Sequence, residues 1–171
     1  GTPQLRVGPA KVVLDETPEG FAPPVEEFAE QVRKAVEAGF PVAIHAVEEP
    51  ALVITGHVLR ELLAERPLPF RPRIEHATVL PPWLVSLLRP LRPLIVTHPH
   101  FLYWHGDRYR QEVPEHQRRW LYRGGALRAA GFGAAYGSDS PVAPWSPWPA
   151  LYAAVTRRTR GGTVLGPGER L

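Results

Sequence analysis

Phe40–Glu49 reads FPVAIHAVEE, and within it Pro41–Val47 is almost unbroken apolar sequence, interrupted once by His45. A run this short, with no polar alternation, suits a strand buried on both faces, as in a parallel sheet. An imidazole costs free energy inside such a strand, so His45 belongs where the strand emerges into a site. In parallel α/β architectures that is the C-terminal end, where ligands bind. Taken alone, His45 also reads as a buried histidine bonded to a neighbouring carbonyl, so the flanking sequence has to decide.

Upstream, Leu5–Leu14 holds a strand signal centred on Val12–Leu14, with Lys11 set into it. The segment DETPEGFAPP that follows reads as a loop rich in Pro, Gly and acid. Val25, Phe28, Ala29, Val32, Ala35 and Val36 then recur at helical spacing, behind Pro23-Pro24 and ahead of Gly39. Downstream the same order returns. A helix over Ala51–Glu65 ends at the proline-rich RPLPFRP, and a short strand RIEHAT carries His76 near its end. PPWLVSLLRPL is a short helix opened by prolines, and PLIVTHPHFL a strand ending in His98 and His100. WHGDRYRQEVPEHQ reads as a long polar loop over one end of the sheet, with His100 and His105 at its mouth and His116 solvated. RRWLYRGGALRAAG is helical towards both ends with a break at Gly124-Gly125, Phe132–Tyr136 is a strand leading into GSDSPVAP, and WPALYAAVTRRTRGG is a last helix before a frayed tail.

Five strand signals thus alternate with helices, roughly 20 to 40 residues apart, which is the rhythm of a parallel βα sheet or barrel. A closed (β/α)8 barrel needs eight units and about 250 residues, so the fold class expected is α/β, with about five strands of a partial barrel in one domain spanning residues 1–171. An intact five-stranded doubly wound domain is the alternative. No glycine-rich phosphate loop follows the first strand, which argues against a nucleotide-binding fold.

Composition excludes several function classes. The chain has no Cys, which removes disulfides and thiolate metal ligation. No apolar run approaches the roughly 18 residues of a membrane span, and no signal-peptide pattern opens the chain, so a cytoplasmic protein is expected. The net charge of +3 invites a nucleic-acid reading. Its arginines are scattered, however, and the densest groups (Arg118-Arg119, Arg157-Arg158-Arg160) lack interleaved aromatic platforms, so a solvated basic face is expected instead. There is no Met, so a chain opening on Gly1 is expected to be an excised or processed piece. Arg far outnumbers Lys, Asn is absent and Pro numbers 21, a bias shared by heat-adapted proteins and by GC-rich genomes.

Each strand signal carries, at or near its end, a chemically useful residue: Lys11, His45, His76, His98 with His100, and Asp139. One such residue is ordinarily structural, whereas five in succession would converge on one rim of a parallel array. Imidazole and carboxylate without thiolate suit zinc and related divalent metals. Glu75 alternates with His76 and so faces away from it, with Arg73 as its simplest partner. His57 lies on a helix and is expected in solvent.

The segments KVVLDET, VAIHAVE, RIEHA, HPHFLYWHGDRY and YGSDSPV, in this order, resemble the second half of a metal-dependent amidohydrolase, in the branch containing YtcJ-like and formamide-deformylase-type enzymes. IEHA and GSDSP are specific in combination, and the resemblance runs from about Val7 to Leu165. It implies that His45 and His76 close barrel strands five and six as ligands of a second metal. It implies further that Asp139 closes strand eight, touches metal and exchanges a proton with the nucleophilic water. Lys11, closing strand four, stands where the family often carries a carboxylated lysine bridging two metals; its plainer reading is a pairing with Asp15 or Glu48. His98, His100 and Tyr103 are expected to contact substrate, with His98 departing from the glutamine common in relatives and also readable as a residue that simply hydrogen-bonds in the loop. A first-strand His-x-His is absent before Lys11, so the first metal site is expected to be half missing and the isolated chain inactive. The activity implied is hydrolysis of a C–N bond in a small amide-like substrate. The rival is a non-catalytic half-barrel that self-associates or pairs with a missing half. Neither nucleic acid nor membrane is expected as a partner.

Overall fold

In this computed structural model, which describes every residue except Gly1, Pro3 and Pro69, five parallel strands form one sheet. The strands are β1 (Ala10–Val13), β4 (Val42–Ala46), β5 (Arg73–His76), β6 (Leu94–Thr97) and β7 (Gly133–Tyr136), joined in the order β1-β4-β5-β6-β7. Each new strand is added on the same side of the previous one. The order never reverses, so there is no switch point of the kind that defines a doubly wound sheet. The sheet is wound in one direction, as in a partial (β/α)8 barrel, and β1 and β7 are its two edges.

Register explains why only one face of the sheet carries the core. Val12, Ile44, Ile74 and Ile95 stand opposite one another in a row, with Leu14 and Ala46 on the same face, and all are buried under the helices. The opposite row holds Val13, His45, Glu75, Val96 and Ala135. This second face is only partly covered: Lys11 and Val13 are exposed, as is Leu94 at its lower end.

The helices form where the apolar spacing demands. α1 (Val25–Glu37) buries Phe28, Val32 and Val36 at four-residue intervals, carries Glu26 and Glu27 in its first turn and Lys34 in its last, and stops at Gly39 with φ 81°. α2 (Glu49–Glu65) starts with Pro50 in its first turn and packs on α3 (Pro82–Leu88) at Gly56, where an added Cβ would lie 3.2 Å from Leu88 and 3.3 Å from Leu87. The proline-rich stop after α2 includes Pro69, which lies outside the described residues.

Five expectations from sequence need correcting. DETPEGFAPP contains an antiparallel hairpin, β2 (Asp15–Thr17) and β3 (Gly20–Ala22), turned by Pro18-Glu19. The polar segment read as a loop is helical: β6 ends at Thr97, Pro99 opens α4 (Pro99–Glu112), and α5 (Glu115–Arg118) follows. Pro is preorganised for a first helical turn, and Phe101, Leu102 and Gly106 form a buried face behind the charged exterior. Gly124-Gly125 opens α6 (Gly124–Ala129) rather than breaking a helix, because Glu169 accepts a bond from Ala126 N at 2.8 Å and pairs with Arg123 at 2.8 Å. The tail is packed, not frayed. After α7 (Trp148–Thr156), Arg157 is 1% exposed and donates to the carbonyls of Leu165, Tyr122 and Leu121 at 2.8, 2.8 and 2.7 Å. Burial pushes its guanidinium down to about 10, so it stays charged at neutrality, and it is no part of a solvated basic face.

Candidate metal centre

The parallel pairing of β1, β4, β5 and β6 brings the strand ends to one rim. His45, fourth of five residues in β4, lies on the less covered face opposite Val13 and Glu75. Its Nε2 stands 3.0 Å from Asp15 Oδ1, a carboxylate presented by the first residue of β2, and Leu14 N donates to His45 O to tie the two segments together. Glu75 turns to Arg73, as its alternation with His76 requires.

His76 reaches the rim by a different route. Its register partner is Ala46, which points into the helix-covered core, so strand alternation alone would bury the ring among aliphatic residues. Instead His76 and Ala77 both adopt left-handed backbone, with φ 71° and 46°, a conformation that costs about 1–2 kcal/mol per non-glycine residue. The chain turns out of the strand, and the His76 ring comes to rest 4.3 Å from the His45 ring and 4.6 Å from that of His98. Such local cost persists where the surroundings over-determine it, commonly at functional sites.

His98 follows β6 directly, and its Nδ1 donates to the carbonyl of Gly137 at 3.0 Å. Its Nε2 is buried without a partner. Gly137 begins the turn after β7 that delivers Asp139, itself at φ 55°. Asp139, His45 and His76 line one cavity of about 280 Å³, walled by Phe101, His105 and the hydroxyl pair Tyr109–Tyr122, whose oxygens are 3.0 Å apart.

Burial, helped by the neighbouring His45 and His98 rings and by Lys11, pushes His76 down to about 3. Burial also lowers His45, against the pull of Asp15. Both rings are therefore uncharged at neutral pH and offer nitrogen lone pairs. Lys11 is exposed on the same sheet face, close enough for its charge to act on both rings, but it does not line the cavity. Among the described residues it forms no ion pair: Asp15, one of its two expected partners, goes to His45 instead.

The remaining sequence candidates separate. His105 faces the cavity, from helix α4 rather than from a loop. His100 is 1% exposed and turned away, lining an apolar cavity of about 400 Å³ with Tyr136 and Trp145. Neither of its ring nitrogens makes a hydrogen bond of good geometry, although the carbonyls of Pro144 and Ser146 lie near enough to oppose the lowering of its pKa by burial. Tyr103 stacks edge-on against Tyr152 in an outer groove, and His57 and His116 are exposed. The helical turn of α4 sends successive side chains in different directions, so three neighbours on one presumed loop do not share a site. Asp15, Tyr109 and Tyr122 were missed as site residues. Only Asp15 left a trace in sequence, as the acid directly after the first strand.

On donor chemistry the rim fits a divalent cation: uncharged imidazoles, one carboxylate and no thiolate. Among the described residues no three His, Asp or Glu side chains already stand at ligand spacing, so the rim is a set of converging donors rather than a closed cage.

The fold has counterparts among solved structures. An uncharacterized metal-dependent hydrolase from Pyrococcus furiosus superposes with a TM-score of 0.79 at 25% identity, over 100% of this chain and 38% of its own. A second, from Pyrococcus horikoshii OT3, gives 0.72 at 27% identity, over 90% of this chain and 31% of its own. The chain therefore spans about a third of the length of these solved structures. No curated protein matches it. A model of the Amidohydrolase family matches residues 1–171, and the chain belongs to that family.

Proposed function

We propose that this chain is the strand-four-to-eight portion of a (β/α)8 metal-dependent hydrolase that cleaves the C–N bond of a small amide-like substrate. The observation that carries the reading is the convergence of His45, His76 and Asp139 on one cavity at the C-terminal ends of parallel strands. In this reading His45, His76 and Asp139 hold the cation, with zinc the best match to the donors, and Lys11, on the same sheet face, becomes a ligand only if carboxylated. A bound divalent cation supplies water with a pKa near 7 and polarises the scissile carbonyl.

The chain's own residues account for the rest. Asp139 accepts a proton from the attacking water and returns it to the leaving nitrogen, so that water and amide give acid and amine. Asp15 orients the His45 ring by accepting from Nε2, which leaves Nδ1 as the nitrogen that can meet a cation. Phe101 and the Tyr109–Tyr122 pair keep bulk water off one wall of the cavity. Because the converging donors do not already form a closed cage among the described residues, the isolated chain is proposed to bind metal weakly and to turn over little. Among the described residues no helix is long and apolar enough to cross a membrane. Calorimetric titration of Zn²⁺ into the chain and into His45→Ala tests the reading: loss of binding in the variant is expected, and equal binding by both defeats it.

A second reading, a half-barrel that self-associates with a second copy, is favoured by α7. Its small residues Ala150, Ala153 and Ala154 are buried, while Trp148, Leu151, Tyr152 and Val155 point outward at helical spacing, beside the open edge β7. Sedimentation across a concentration series decides it, since a strictly monomeric species rules self-association out.

A further inference from the structure

We propose that His98 is a ligand, through Nε2, of the cation held on His76; the inference rests on the metal-centre reading above and adds to it the residue that follows β6, the strand between β5, which ends in His76, and β7, whose following turn carries Asp139. The carbonyl of Gly137 can only accept, so the bond at 3.0 Å places a proton on His98 Nδ1. In the uncharged ring the lone pair then sits on Nε2. That atom is buried and has no partner, in a side chain 4% exposed. A buried acceptor left open is rare in a folded protein and marks a place where a ligand, ion or water belongs.

Several features distinguish a cation from a water here. A backbone carbonyl fixing one imidazole nitrogen while the other is left open is the arrangement by which proteins orient histidines toward metals. The ring lies 4.6 Å from His76, which itself adjoins His45, so the three imidazoles form a row along the rim with His76 as the shared neighbour. The Nδ1–Cε1 edge of the His98 ring is closed: a Cβ at Gly137 would lie 3.2 Å from Cε1 and 3.3 Å from Nδ1, so the absence of a side chain lets the ring seat against the turn that delivers Asp139. His100, whose buried ring nitrogens are also unpartnered, lacks this setting, because it opens on an apolar cavity away from the rim.

The test uses ¹¹³Cd²⁺ bound to the full chain labelled with ¹⁵N-histidine. A scalar coupling between cadmium and Nε2 of His98, alongside that of His76, is the expected result. Calorimetry with Zn²⁺ on His98→Gln should accompany it. Removing a mere orienting partner of a ligand typically costs 10–100-fold in metal affinity, so loss of a direct ligand should cost about 100-fold or more. Coupling to His76 but none to His98, with His98→Gln binding within about threefold of the parent chain, overturns this inference and leaves the metal centre standing. A parent chain that binds neither cation overturns both. If His98→Gln does not fold, the coupling measured on the unaltered chain still decides.

Discussion

Arg157→Met should destabilise the chain more than any other conservative change of comparable volume. The side chain is buried, and each of its three bonds ends on a backbone carbonyl: Leu165 in the tail, and Tyr122 and Leu121 in the segment between α5 and α6. Methionine fills much of the space but donates nothing. An orphaned buried acceptor costs about 1–3 kcal/mol, so three set an upper bound near 9 kcal/mol. Relief from holding a desolvated guanidinium offsets several kcal/mol of that. The net loss expected is roughly 3–4 kcal/mol, against a total stability of about 5–15 kcal/mol for an ordinary domain. With a urea m-value of about 2 kcal/mol/M, the unfolding midpoint followed by circular dichroism should fall by about 1.5–2 M. Arg157→Lys keeps the charge but loses the planar fork, and should fall between the two. A shift below about 0.5 M for Arg157→Met would refute the claim that this arginine fastens the tail to the wall carrying Tyr122.

Two further outcomes follow from packing and titration. Gly106→Ala would place a Cβ 2.4 Å from Thr159 Cγ2, and Thr159 is held in place by its 2.6 Å bond to Asp107, so overpacking of about 1–3 kcal/mol should exceed the helix-propensity gain of about 1 kcal/mol. A thermal melt of Gly106→Ala above the parent's would contradict this. In the metal-free protein, His76 stays uncharged down to about pH 3 when folded but takes up a proton near pH 6.5 when unfolded. The unfolded state therefore binds more protons below pH 6.5, and stability falls with pH by up to about 1.4 kcal/mol per unit, or roughly 2 kcal/mol by pH 5, with no contribution above about pH 7.5. Unfolding of the parent and of His76→Gln compared from pH 5 to 7.5 checks this, since parallel pH profiles would show that His76 is not held uncharged.

The sequence carried the fold further than it carried the site. The βα rhythm was readable because two-sidedly apolar strands and one-sidedly apolar helices leave different periodicities. The position of His45 near a strand end followed from the same pattern. His76 was identified by its place in RIEHA, but nothing in a single sequence announces the paired left-handed residues that swing its ring back to the rim. Helix α4 was hidden because its exposed face is dense in charge while its buried face is built from Phe101, Leu102 and Gly106 in place of an aliphatic ladder. That one misreading scattered three candidates: His100 and Tyr103 turn into other surroundings, and only His105 meets the cavity. Arg157 looked like one more surface arginine, because its partners are backbone carbonyls 8 to 36 residues away and carbonyls leave no mark in a sequence.

The central claim is that His76, with His45 and Asp139, holds a divalent cation. Crystals of the full chain grown with Zn²⁺, with anomalous differences collected at the zinc edge, test it most directly. The account predicts a peak on the rim, about 2.0–2.2 Å from a His76 nitrogen and at the same distance from a donor atom of His45 or Asp139. Anomalous density confined to the exposed rings of His57 and His116, or none at all, would contradict it.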